Sequence, residues 1–93
     1  MPEGRYEMTP EREAMLDTIA ESEGADYDTL YGGDTFSGYE DHPRETVHGD
    51  EYTSTAAGRY QILEGTWDAA AGEMNLEDFS PANQDQAAMW LID

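Results

Sequence analysis

Glu23 stands apart from the other carboxylates of this chain by its place. It ends a predicted helix, is followed at once by Gly24, and sits at the lip of a glycine- and tyrosine-rich stretch. The carbonyl end of a helix disfavours an ionised carboxylate, and a surrounding field of acids acts in the same direction. A carboxyl that must deliver a proton near neutrality needs such surroundings, so Glu23 is a candidate general acid. The plainer alternative is an exposed glutamate that happens to close a helix. A second signal is Arg59-Tyr60-Gln61. An arginine, an aromatic ring and an amide together can line a sugar-binding cleft, the ring against a pyranose face and the amide both donating and accepting. Equally, Tyr60 can belong to the core while Arg59 pairs with one of the many acids.

Other chemistry finds less support. His42 and His48 lie near Asp41 and Asp50, but there is no His-Glu-x-x-His spacing and no thiolate, so no zinc site is expected. Asp26, Asp28 and Asp34 lack the order of a calcium-binding EF-hand loop. Ser54 and Ser80 have no nucleophile elbow and read as helix caps. Gly32-Gly33 is too short to cradle a phosphate. No cofactor and no metal is expected.

The elements that must position Glu23 can be read locally. Thr9-Pro10-Glu11 supplies an N-cap, a proline at the first helical position and an acid at the positive end of the helix. Ala14, Met15, Ile19 and Ala20, with Leu16 beside them, offer a packing face, and Gly24 stops the helix. Residues 25–52 carry no helical period and suit irregular strands near Asp28–Tyr31 and Tyr39. Thr53-Ser54-Thr55 then looks like a cap for a helical stretch through Leu63, with a second part over Thr66–Met74 after a distortion at Gly65. Trp67, Ala70, Ala71 and Met74 form its stripe. Ser80-Pro81 opens a last helix whose apolar run, Ala88 to Ile92, is expected to be buried, partly against a partner. Residues 1–9 read as a flexible leader before one domain over 10–93.

Composition narrows the classes. The 93 residues hold 22 acids against four arginines, no lysine and no cysteine, with a formal charge of −18. Such a charge repels nucleic acid and anionic lipid, and no apolar run is long enough to cross a membrane. The amino-terminal segment lacks the apolar core of a signal peptide. Six tyrosines and two tryptophans are too many for a disordered acidic tail. The repulsion is relieved when strong salt shortens the Debye length to about 3 Å, so the composition fits a brine.

Five fragments in order carry a family resemblance: Ile19-Ala20-Glu21-Ser22-Glu23-Gly24; Gly32-Gly33 leading to Phe36; Tyr39-Glu40-Asp41-His42-Pro43-Arg44; Ser54-Thr55-Ala56-Ala57-Gly58-Arg59-Tyr60-Gln61; and Trp67-Asp68-Ala69 with Asp78-Phe79-Ser80-Pro81 and Asn83-Gln84-Asp85. Together they resemble the phage lambda lysozyme family. The resemblance implies an α+β, lysozyme-like fold, mainly helical with a small irregular lobe and lacking the family's carboxy-terminal helices. It implies Glu23 as the catalytic residue, Tyr60, Gln61 and Ser54 as substrate-binding, and Asp41, Arg44 and Arg59 as structural near the site. It further implies a lytic-transglycosylase cut in murein, and a place in a virion tail or in host cytoplasm before lysis. Glu21 stands where the family has a tryptophan, and the family continues past the helix that Pro81 begins. Two readings follow: an enzyme acting on a cell-wall or cell-surface glycan, or a non-catalytic virion or tail component whose fold a partner chain completes at the carboxy terminus.

Overall fold

A computed structural model describes residues 6–49 and 52–92. Helix α1 spans Pro10–Glu23, a short antiparallel hairpin pairs β1 (Val47–His48) with β2 (Thr53–Ser54), and helices α2 (Glu64–Met74) and α3 (Pro81–Ile92) follow. The class is mixed α+β, mainly helical with a small two-stranded lobe.

The helix ends follow from their capping chemistry. The Thr9 side chain accepts from the Arg12 N–H at 3.2 Å, with Pro10 at the first helical position. Gly24 adopts φ +65° and returns its N–H to the Ala20 carbonyl at 2.8 Å, a left-handed stop that glycine makes without a Cβ penalty. Ser80 accepts from the Asn83 N–H and starts α3. Helix α2 is capped from a distance: Leu63, at its N-cap, has no capping side chain, and Thr55 Oγ1 accepts the Glu64 N–H at 3.2 Å.

The core is aromatic at its centre. Phe79 is fully buried, with Trp67 edge-on at 4.8 Å between ring centroids, His42 at 4.9 Å and Phe36 at 5.9 Å. Leu16 and Ala20 of α1, Trp67, Ala70 and Met74 of α2, and Ala87, Ala88 and Met89 of α3 close around it.

Four local expectations differ from the structure. On α1 the face is set by Leu16 and Ala20, with Ile19 partly covered, while Met15 is 42% exposed. The stretch from Thr53 to Ile62 is not helical. Thr53 and Ser54 pair with β1, Ala57 pairs with both Leu30 and Ile62, and Gly58 (φ +85°) and Gln61 (φ +51°) turn left-handed. Ser54 therefore caps no helix, and its hydroxyl accepts the Ala56 N–H. A Cβ at Gly58 would collide with the Gln84 side chain and press on Phe79, so glycine is required there. In the final run Ala88 and Met89 are buried, but Leu91 and Ile92 are 47% and 42% exposed. Of the expected leader, residues 1–5 lie outside the described residues; Tyr6 exchanges two hydrogen bonds with the Gln86 amide, and Tyr6 and Met8 pack on the core. Tyr6 is thus tied to α3, and Thr9 to the first turn of α1.

Candidate active site

Glu23 is the last residue of α1 and is exposed. Among the described residues its carboxylate makes no hydrogen bond or ion pair. Glu21, two positions earlier, leaves the helix on another side.

A polar network lies beside this helix end. Arg59 Nη2 donates to Asp17 of α1 at 2.7 Å, and Nη1 donates to the Tyr60 hydroxyl at 2.9 Å. Tyr60 and Tyr27 both donate their hydroxyls to the same oxygen of Asp85 on α3. The guanidinium sits over both rings, 5.4 Å from the Tyr27 centroid and 5.5 Å from that of Tyr60. Burial, then the hydrogen bond to Asp85, pushes both phenols above the ordinary tyrosine range, so both remain donors. Beneath them Gln84 is fully buried and fully used: Oε1 accepts the Arg59 N–H, and Nε2 donates to the carbonyls of Tyr27 and Phe79.

Two hollows flank the Asp17–Arg59 pair, which lines both. One, of about 430 Å³, lies toward Met8, Leu16, Tyr27 and Asp85; the other, of about 450 Å³, runs along Ala20, Glu21, Gly24 and Asp26. It is Glu21, not Glu23, that lines the second. Glu21 stands four residues after Asp17 and shares its side of the helix, whereas Glu23 stands three after Ala20 and lies about a third of a turn away from Asp17.

The remaining sequence-derived residues fall in three places. Tyr60 is buried, with its hydroxyl committed to Asp85. Gln61 Nε2 donates to the carbonyls of Thr29 and Gly58, stitching the turn to the loop after α1. Ser54 is half-buried on β2. None of these bonds reaches Glu23. Arg44, at φ +52°, grips Asp41 through Nε at 2.8 Å and Asp68 of α2 through both Nη atoms. The guanidinium contact holds both carboxyls below the usual aspartate range. Behind Arg44, the buried His42 ring accepts the Arg44 N–H on Nδ1 and donates from Nε2 to the Ile62 carbonyl. Among the described residues no group of three or more His, Asp or Glu side chains could hold a metal ion, and no helix is long and apolar enough to cross a membrane.

Sequence reasoning did not single out Asp17, Tyr27, Gln84 or Asp85. Gln84-Asp85 lay inside a matched fragment, and only the three-dimensional convergence separates them from other polar residues.

A family model described as Endolysin matches residues 13–93. The chain belongs to the endolysin family. The endolysin of Escherichia phage lambda is 43% identical over 97 residues, covering 92% of this chain and 61% of the relative. That of Escherichia phage P2 is 36% identical over 101 residues, covering 85% and 60%. Among solved structures, lysozyme from bacteriophage lambda aligns with a TM-score of 0.89 at 41% identity, over 94% of this chain and 64% of that one. The bacteriophage lambda lysozyme complexed with a chitohexasaccharide gives the same TM-score at 42% identity and the same coverage. This endolysin-family chain therefore spans about three-fifths of the length of the curated relatives it matches.

Proposed function

We propose that this chain cleaves a murein-type glycan, with Glu23 as the single proton-transfer group. The observation that supports this best is family membership combined with the position of Glu23: an exposed, unengaged carboxyl at the end of α1, in the Ser22-Glu23-Gly24 fragment that resembles the family motif. In this reading Glu23 protonates the glycosidic oxygen as the bond to muramic C1 breaks. The resulting carboxylate then takes the proton of the C6 hydroxyl as O6 closes on C1, leaving a 1,6-anhydro end. No second carboxylate is needed, unlike the paired acids of water-using glycosidases. Tyr60, Gln61 and Ser54 belong to the lobe that meets the glycan, and Asp41, Arg44 and Arg59 hold that lobe to the helices. The chain is phage- or virus-derived and acts in a tail or in host cytoplasm before lysis. The formal charge of −18 with no lysine supports action in strong salt.

Glu23→Gln keeps the shape and removes the proton. Release of glycan from murein, and from the envelopes of salt-requiring cells, should fall at least ~100-fold in about 2 M KCl. Mass spectrometry should find 1,6-anhydro ends; reducing muramic ends would make water the acceptor. Equal activity in the variant would move the assignment to another residue. Circular dichroism should show helix content rising from low to molar KCl, and a fully folded trace without salt would remove the adaptation to brine.

A second reading, a non-catalytic virion or tail component whose partner chain covers the carboxy-terminal helix, has one observation in its favour. Leu91 and Ile92, late in α3, are 47% and 42% exposed and offer an apolar pair for such a partner to cover. Absence of turnover by the wild-type chain on every envelope tested would select it.

A further inference from the structure

The segment carrying Glu23 is fastened on both sides by groups from other elements. Before it, Asp17 takes the hydrogen bond from Arg59 at 2.7 Å. After it, Tyr27 is held twice from α3, its hydroxyl by Asp85 at 2.9 Å and its carbonyl by the Gln84 amide at 3.0 Å. The two fastenings are one unit, because Arg59 donates to the Tyr60 hydroxyl and Tyr60 donates to the same Asp85 oxygen that serves Tyr27. Between them lie only the last turns of α1, the left-handed Gly24 and the short link Ala25-Asp26. Glu21, Ser22, Glu23 and Gly24 are all exposed, so core packing does not hold this helix end.

We infer that Arg59 and Asp85 are positioning residues that, through Asp17 and Tyr27, clamp the end of α1 and fix where the Glu23 carboxyl stands relative to α3 and the Tyr60 turn. This rests on the reading of Glu23 as the proton-transfer group. An exposed helix end frays, and a proton-transfer group displaced by about 1 Å can lose ~100-fold in rate. Fastening the chain before and after the residue narrows that motion while leaving the carboxyl itself free to react. The clamp is rigid because each member is shared: one carboxylate oxygen serves two phenols, one guanidinium serves an acid and a phenol, and both tyrosine rings lie against that guanidinium.

The test uses the full chain in about 2 M KCl. Tyr27→Phe removes one hydroxyl and keeps the ring, Asp85→Ala removes the shared acceptor, and Asp85→Asn keeps an acceptor oxygen. Expected are a kcat roughly 10- to 100-fold lower for Tyr27→Phe and Asp85→Ala with KM within about twofold, and recovery of most of the loss by Asp85→Asn. In carbon-13 spectra the Glu23 carboxyl resonance should move in Tyr27→Phe and stay in place in Asp68→Asn, which disturbs only the Arg44 contacts. An unchanged kcat in Tyr27→Phe, or an unmoved Glu23 resonance, overturns the clamp. Full activity in Glu23→Gln overturns the reading of Glu23 and leaves the clamp without that role. An inactive Glu23→Gln beside a fully active Tyr27→Phe overturns the clamp alone. If the wild-type chain turns over no glycan, the resonance criterion decides whether α1 is clamped.

Discussion

Two of the four arginines, Arg59 and Arg44, each join distant parts of the chain, and they do so in different surroundings. Arg59 bonds to one acid and one phenol, lies over two rings, and has a side chain 23% exposed. Arg44 bonds to two acids, Asp41 and Asp68, with a side chain 39% exposed. The first is a mixed network whose strength comes from hydrogen bonding and stacking as well as charge. The second is nearly pure ion pairing at the surface. Molar salt weakens ion pairing between exposed charges and leaves stacking and phenol hydrogen bonds largely intact. The Arg59–Asp17 pair, with Asp17 66% exposed, is open to the same screening, so what brine spares at Arg59 is the bond to Tyr60 and the stacking on both rings.

The largest expected difference comes from removing each arginine in turn. Arg59→Met should destabilise the fold by about 2 kcal/mol, because the Tyr60 hydroxyl loses a charged donor and two rings lose their cation. That loss should persist in about 2 M KCl. Arg44→Met should cost clearly less and should approach the wild type as salt rises. Equal losses at every salt concentration, read from thermal or urea unfolding, would erase the distinction between the two arginines.

A smaller effect separates them by acid. His42 lies behind Arg44 and against Phe79, and burial holds its pKa below the ordinary histidine value. Because the folded value is depressed, the unfolded chain binds the proton first. The stabilisation is complete above the unfolded value of about 6.5 and is lost as pH falls through the folded value. Protonating Nδ1 also removes the acceptor for the Arg44 N–H. Asp41 and Asp68, both depressed by Arg44, add a second loss at lower pH, below the ordinary carboxylate value. Melting temperature at constant salt should therefore fall from about pH 7 to about pH 5, and His42→Gln should flatten that part of the curve. Tyr27→Phe, on the Arg59 side, should leave its slope unchanged. A wild-type profile flat over this range would detach His42 from the Arg44 contacts.

The same contrast marks what could be read from the sequence. Caps and stops are local, so Thr9-Pro10, Gly24 and Ser80-Pro81 were legible and place Glu23 at the end of α1. Asp41 and Arg44 are three residues apart within a quoted fragment. The Arg59–Asp17 pair spans 42 positions, and with so many acids nothing in the sequence selects Asp17. The stretch after Thr53 misleads because its alanines favour a helix locally, while pairing of Ala57 with Leu30 and the left-handed Gly58 and Gln61 are imposed by the rest of the fold. The packing face of α1 was legible only in part: Leu16 and Ala20 are buried, while Met15, inside the same predicted stripe, is exposed.

The smallest predicted effect isolates charge alone. A double-mutant cycle on Arg44→Met and Asp41→Asn measures a pair three residues apart with both side chains well exposed, so the coupling should be no more than about 0.5 kcal/mol at ~0.1 M salt. At about 2 M KCl the Debye length falls below the reach of such a pair, and the coupling should become indistinguishable from zero. A matching cycle on Arg59→Met and Tyr60→Phe removes a bond to a neutral phenol, and its coupling should survive the same salt. If the Arg44–Asp41 coupling held at high salt, its geometry would be contributing more than screened charge, and Arg44 would join Arg59 as a salt-proof attachment. If the Arg59–Tyr60 coupling vanished instead, stacking over Tyr27 would be the interaction that holds Arg59 in brine, and Tyr27→Leu should then reproduce most of the loss seen in Arg59→Met.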